Sequence, residues 1–232
     1  RSKTGRVALN NAIQLRKHLG HWDRAINLMK QGALQSSGSA KVNAFAQLMT
    51  LLAERKSWNN LNNVSTHAIK LYKSWRGAYF HLGLAQSRLG KTNLAIKTLL
   101  KADRLGSNSD FDRALNNAFN YELAIVHQHR FKAIAFNTKG DYESTLQKKL
   151  KLFEVIENYH IRVISGGAGA WAIKSLWNIA LANQHLGEFI ADAPAPKSLS
   201  NSDLKQYRQA LHQEGKIFKK KAQETLSGCR QK

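Results

Sequence analysis

Few residues in this 232-residue chain combine type and spacing in a way that could do chemistry, and they are scattered. Ser202-Asp-Leu-Lys205 sets a hydroxyl one helical turn from an amine, a pairing used in acyl transfer, but the companion motifs of such a nucleophile are absent. Ser202 is instead expected to cap a helix, with Asn201 as the alternative cap. His18 and His21 flank a turn, while His127 and His129 lie two apart on a helix and face different ways. Neither pair has carboxylate or cysteine company suited to a metal, so no metal site is expected. Glu122 is an isolated carboxylate among apolar neighbours; burial would raise its pKa, yet no second acid is placed to work with it. Cys229 is the single cysteine, which excludes an intramolecular disulfide and reads as a small packing residue. A nucleophile elbow (Gly-x-Ser-x-Gly) and a His-Glu-x-x-His pair are both missing. The expectation is a protein without catalysis and without a cofactor.

One stretch imitates a cofactor loop. Ile161-Arg-Val-Ile-Ser-Gly-Gly-Ala-Gly-Ala-Trp-Ala172 places a β-branched run before Gly167-x-Gly169-x-x-Ala172. Such glycines bring pyrophosphate to a helix N-terminus only inside a parallel-sheet crevice, and helical patterns flank this run on both sides. It is read as a flexible Gly-rich loop over 161–170. A phosphate-loop reading fails as well, because Lys174 follows Ile173 and not Gly.

The elements that must position any site are helical. The two prolines are Pro194 and Pro196, and the composition is 43% hydrophobic, enough for a continuous core. No apolar run approaches the ~20 residues that span a bilayer. The chain opens at Arg1 without a hydrophobic leader, and a mature or excised form is expected. Formal charge is +21. Up to Ala102 the carboxylates are Asp23 and Glu54, against seventeen Lys and Arg. That surface attracts polyanions and acidic partners, with an attraction that salt weakens.

Ala78 to Asn108 reads as one helix–turn–helix unit. Tyr79, Leu82, Gly83, Gln86 and Leu89 fall at helical spacing, Gly90 breaks the run, and Ala95, Leu99, Ala102 and Leu105 carry a second stripe to Gly106-Ser107-Asn108. Related turns recur at Leu19-Gly20-His21-Trp22, Arg55-Lys56-Ser57-Trp58, Lys139-Gly140-Asp141-Tyr142 and Leu186-Gly187-Glu188-Phe189. In four of the five copies an aromatic follows the central turn residue by two. This pattern resembles the tetratricopeptide (TPR) repeat, with Gln86 in place of a Tyr, Leu99 in place of a Phe and Ser107 in place of a Pro. The resemblance implies an all-α, right-handed α-α superhelix of about five hairpins over a single domain, 1–232. Regular repeats fill 1–109, an elongated hairpin 110–160, and the Gly-rich loop 161–170. The last repeat, 171–232, contains the Pro/Ala/Ser insertion Ala191 to Ser200 and a basic capping helix with Leu204, Tyr207, Leu211, Phe218, Ala222 and Leu226 on one side. This tail is similar to that of some bacterial cell-envelope TPR proteins, which implies an envelope setting as one alternative to the cytoplasm.

The same resemblance implies a concave groove lined by the first helix of each hairpin. Its inward residues would be Asn10, Gln14 and Lys17, then Asn43, Gln47 and Thr50, then Phe80, His81, Leu84 and Arg88, then Arg130, Asn137, Trp177 and Asn178. Amides could bond the main chain of an extended peptide, aromatics offer stacking area, and Arg88 and Arg130 could take acidic groups. The slots of the clamp that grips heat-shock protein tails hold Asn10, Gln14, Gln47, Gly77 and His81, so its cations are missing. The expected function is docking of a protein or peptide partner with acidic character. The alternative is a polyanion-binding module for nucleic acid or an anionic envelope polymer or lipid, resting on the charge and on Trp58, Trp75 and Trp171.

Overall fold

A computed structural model of the chain describes residues 3–106, 110–136, 142–167, 169–196 and 199–230. Ser107, Asn108, Asn137 and Gly140, which the sequence assigned to a helix stop, the groove and a turn, lie outside the described residues, as does the side chain of Cys229. The described residues are all-α, with ten helices that, within each of two units, pack on their sequence neighbours in a solenoid-like manner. No described helix is long and apolar enough to cross a membrane. The chain divides into two compact units, Arg1–Gly106 and Ser107–Lys232. The boundary adjoins the point where the spacing between turns lengthens.

The first unit contains α1 (Lys3–His18), α2 (Trp22–Gln35), α3 (Gly38–Glu54), α4 (Trp58–Leu71), α5 (Arg76–Arg88) and α6 (Thr92–Arg104). Three of its turns share one hydrogen-bond plan. The N–H groups of His21, Ser57 and Lys91 donate to Arg16, Leu52 and Gln86 carbonyls at 2.8, 2.8 and 2.9 Å. This is the Schellman closure, which needs a left-handed residue just past the helix end. Gly20 and Gly90 supply it at φ 70° and 74°, and Lys56 supplies it at φ 55° despite its side chain. Phe45, Leu48, Met49, Leu52 and Leu61 fill the core between α3 and its neighbours. In the α5/α6 hairpin a Cβ on Gly83 would come within 2.6 Å of Leu99, so glycine sets how closely the helices approach. Gln86, in a Tyr slot of the repeat pattern, is buried and accepts a 2.8 Å hydrogen bond from Thr98 Oγ1. Arg76 is buried and its Nε donates to the Ala102 carbonyl at 2.9 Å, closing the end of α6 with a cation where the helix dipole favours one.

The second unit contains α7 (Asp110–Ala133), α8 (Tyr142–Ser165), α9 (Gly169–Ala191) and α10 (Asn201–Arg230). Side-chain pairs such as Phe131–Phe153 and His160–Ser175 show α8 antiparallel to both α7 and α9. Phe131, Phe153, Ile156, Leu186 and Ile190 form its core. Three expectations are corrected here. Residues 161–165 are the last helical turn of α8, with Val163 fully buried, so the glycine-rich loop is shorter than 161–170. Gly167 at φ 70° ends the helix, and a Cβ on Gly166 would collide with Asn117, whose Nδ2 donates to the Gly166 carbonyl at 3.3 Å. Leu186-Gly187-Glu188-Phe189 is not a turn but the interior of α9. Gly187 and Gly215 press backbone to backbone, each Cβ position lying 2.5–2.6 Å from the other's carbonyl oxygen, so this glycine serves helix contact instead of chain reversal. The cap of α10 is Ser200, whose Oγ accepts the Asp203 N–H at 3.2 Å and donates to Asp203 Oδ2 at 2.7 Å; Ser202 only joins it through a 3.0 Å hydroxyl contact.

Candidate functional site

The residues expected to line a groove in the first unit sit on three helices. α5 contacts α3, α4 and α6 and is thereby fixed on most of its circumference. Its remaining side presents Gly77, Phe80, His81 and Leu84, all half-buried, and ends at exposed Arg88. The Phe80 and His81 rings meet edge-on at 5.5 Å. His81 Nδ1 is enclosed without a hydrogen-bond partner, and burial lowers the pKa from 6.5 to about 4, so the ring is neutral near pH 7. Arg88 Nη1 donates to Ser87 Oγ at 3.2 Å. On α3, which contacts α5, Asn43, Gln47 and Thr50 are exposed. Asn10 and Gln14 are exposed and Lys17 half-buried on α1, a helix that packs on α2 and makes no backbone approach to α3. The helices that carry the α3 and α5 sets therefore touch, while the helix of the α1 set touches neither.

The second unit gathers a different set. α7 and α9 lie side by side and run parallel, since Tyr121 meets Trp171 and Asn178 while Phe131 meets His185 further along both. Asn178 Nδ2 donates to Tyr121 Oη at 3.2 Å and to the Lys174 carbonyl at 2.8 Å, so the amide is occupied in holding the two helices together. Trp177 is 53% exposed and Ile173, one turn before it, 56%. Lys174 places its ammonium 5.1 Å over the Trp171 ring. Arg130 is exposed on the last turn of α7, nine residues or roughly 14 Å of helix past Tyr121. What this arrangement offers is an amphipathic surface, with aromatic area beside cations.

Buried chemistry lies elsewhere. Lys149 is wholly buried on α8, its Nζ donating to the Ile134 carbonyl at 2.8 Å and meeting His185 Nε2 at 3.1 Å. The amine also sits 3.9 Å from the Phe189 ring centre and 4.8 Å from that of Phe131. Burial lowers its pKa from 10.5 to about 8, and His185 is lowered by burial and then by the Lys149 charge. A buried amine of this kind can act as a nucleophile or base. Here its proton is engaged by the carbonyl just past α7 and by an imidazole, which makes it a helix cap and a tie between α7, α8 and α9. Sequence reasoning missed it, although Lys149, Phe153, Ile156, His160 and Val163 share one helical stripe and the other four are apolar or ring-bearing. His160 on the same stripe has Nδ1 3.1 Å from Ser175 Oγ and a burial-lowered pKa of about 4.

Among the described residues no group of three His, Cys, Asp or Glu side chains could hold a metal ion. No protein-family model matches the chain, and no curated protein matches it significantly.

Proposed function

We propose that the chain is a TPR-like scaffold without catalysis of its own, and that it docks an acidic protein or peptide segment. The observation that carries this reading is the α7/α9 surface, where Trp177 and Ile173 stand more than half exposed beside Lys174 in a protein of charge +21. Exposed aromatics flanked by cations suit a segment that combines carboxylates with apolar anchors, and aromatic and arginine side chains dominate binding energy at such contacts. Opposite charge would speed encounter and select against basic partners. The α3/α5 side of the first unit, with Asn43, Gln47, Phe80 and Arg88, is a second docking surface of the same character.

The test is fluorescence anisotropy with a labelled peptide of alternating Glu and Leu/Phe residues at about 0.15 M salt. Saturable binding that falls at least tenfold with Trp177→Ala/Arg130→Glu, and less with a lysine change on α10, supports the reading. Random single-stranded DNA in the same assay addresses the alternative. Tighter binding to DNA than to the peptide, with a steep salt slope, would replace the peptide reading by polyanion binding.

A further inference from the structure

The first unit carries a cleft that no groove residue lines. It has a volume of about 710 Å³ and is bordered by His21, Trp22, Asp23 and Arg24 at the start of α2 and by Arg55 and Ser57 at the turn between α3 and α4. The volume is within the range of small-molecule sites. The Arg55 guanidinium carbon lies 4.5 Å from the centre of the Trp22 ring, a cation–π contact that anchors the side chain at the cleft. Neither the Arg24 nor the Arg55 guanidinium has a hydrogen-bond or ion-pair partner among the described residues. A third arginine backs the cleft, because Arg16 Nη1 meets His21 Nδ1 at 3.2 Å. At the mouth, Asp23 is the one lining carboxylate against two guanidinium groups.

We propose that this cleft binds a small phosphate monoester, gripped by Arg24 and Arg55. Two guanidinium groups that line one opening match the oxygens of a dianionic phosphate, which accepts paired N–H donors more readily than a halide does. α2 begins here without a side-chain cap, so its dipole adds to the attraction. The cleft, which Gly20 and Ile26 also line, is larger than phosphate alone requires and leaves volume for a nucleoside or sugar body. This site is independent of the peptide-docking surfaces, and either can fail without the other.

The experiment is titration calorimetry of the full chain with AMP, adenosine and inorganic phosphate at fixed ionic strength. Saturable binding of AMP with none of adenosine is expected, and inorganic phosphate should compete with AMP. Arg24→Gln, an exposed side chain whose loss leaves the fold intact, should weaken AMP several-fold, and Arg24→Gln/Arg55→Gln at least tenfold. Lys70→Gln/Lys97→Gln, equal in charge but remote from the cleft, should change it less than twofold. Asp23→Asn should tighten binding. The proposal is overturned by equal weakening in both double variants, by adenosine binding as well as AMP, by failure of phosphate to compete, or by weaker binding in Asp23→Asn.

Discussion

At the scale of single residues, burial has set the protonation of several groups. His160 is fully buried beside Ser175, and its pKa falls from 6.5 to about 4 because the charged ring loses its hydration. His81 is lowered to about 4 by the same cause. In the window between the two values the unfolded chain binds more protons than the folded one. Stability is therefore complete above 6.5 and is lost as pH falls through about 4, by up to ~3 kcal/mol per histidine. Urea midpoints should drop between pH 7 and pH 4.5, and His160→Gln should flatten that drop. An unchanged slope in the variant would show that His160 is not its source. Lys149 obeys the same logic at the alkaline end. Its depressed pKa of about 8 means that the ammonium costs stability at neutral pH, a cost relieved as pH rises toward 10.5.

At the scale of elements, the turns and the helix contacts use glycine in two different ways. Gly20, Lys56 and Gly90 occupy equivalent left-handed positions after α1, α3 and α5. A side chain there brings Cβ against the following carbonyl, at a cost of ~1 kcal/mol or more. Lys56→Gly should raise the stability of the first unit by about that amount. Thermal melting checks this, with Lys56→Ala as the control that keeps the strain. A melting point no higher than that of the parent would mean that the Lys56 side chain compensates elsewhere. Gly187 and Gly215 serve the other use, letting α9 and α10 touch through backbone atoms. Leu211 and Phe218 then lie half-buried against the core of the second unit, while Lys216, Lys219, Lys220 and Lys221 remain in solvent.

At the scale of the whole molecule, the charge of +21 acts on everything at once. Like charges repel in the compact state, and salt screens that repulsion within about 10 Å at 0.1 M. The melting temperature should therefore rise between roughly 20 mM and 0.2 M sodium chloride. A flat response would show that the cations are already neutralised by local partners. The same excess positive charge underlies both binding proposals, so each is tested against a variant that removes positive charge away from the proposed site. Local sequence was sufficient for the helices and for the turns at 20, 56 and 90, because those depend on hydrogen bonds a few residues apart and on one residue tolerating positive φ. The TPR resemblance names Trp177 and Arg88 as groove residues, and the structure leaves both side chains exposed. What lies across from a residue is not written in its neighbours. Gly187 resembles the other turn glycines in sequence, yet it packs against Gly215, and the enclosure of Lys149 by Ile134, His185 and Phe189 is invisible in the sequence around it. That Arg24 and Arg55, more than thirty residues apart in sequence, line one cleft is likewise decided only once the hairpins have packed.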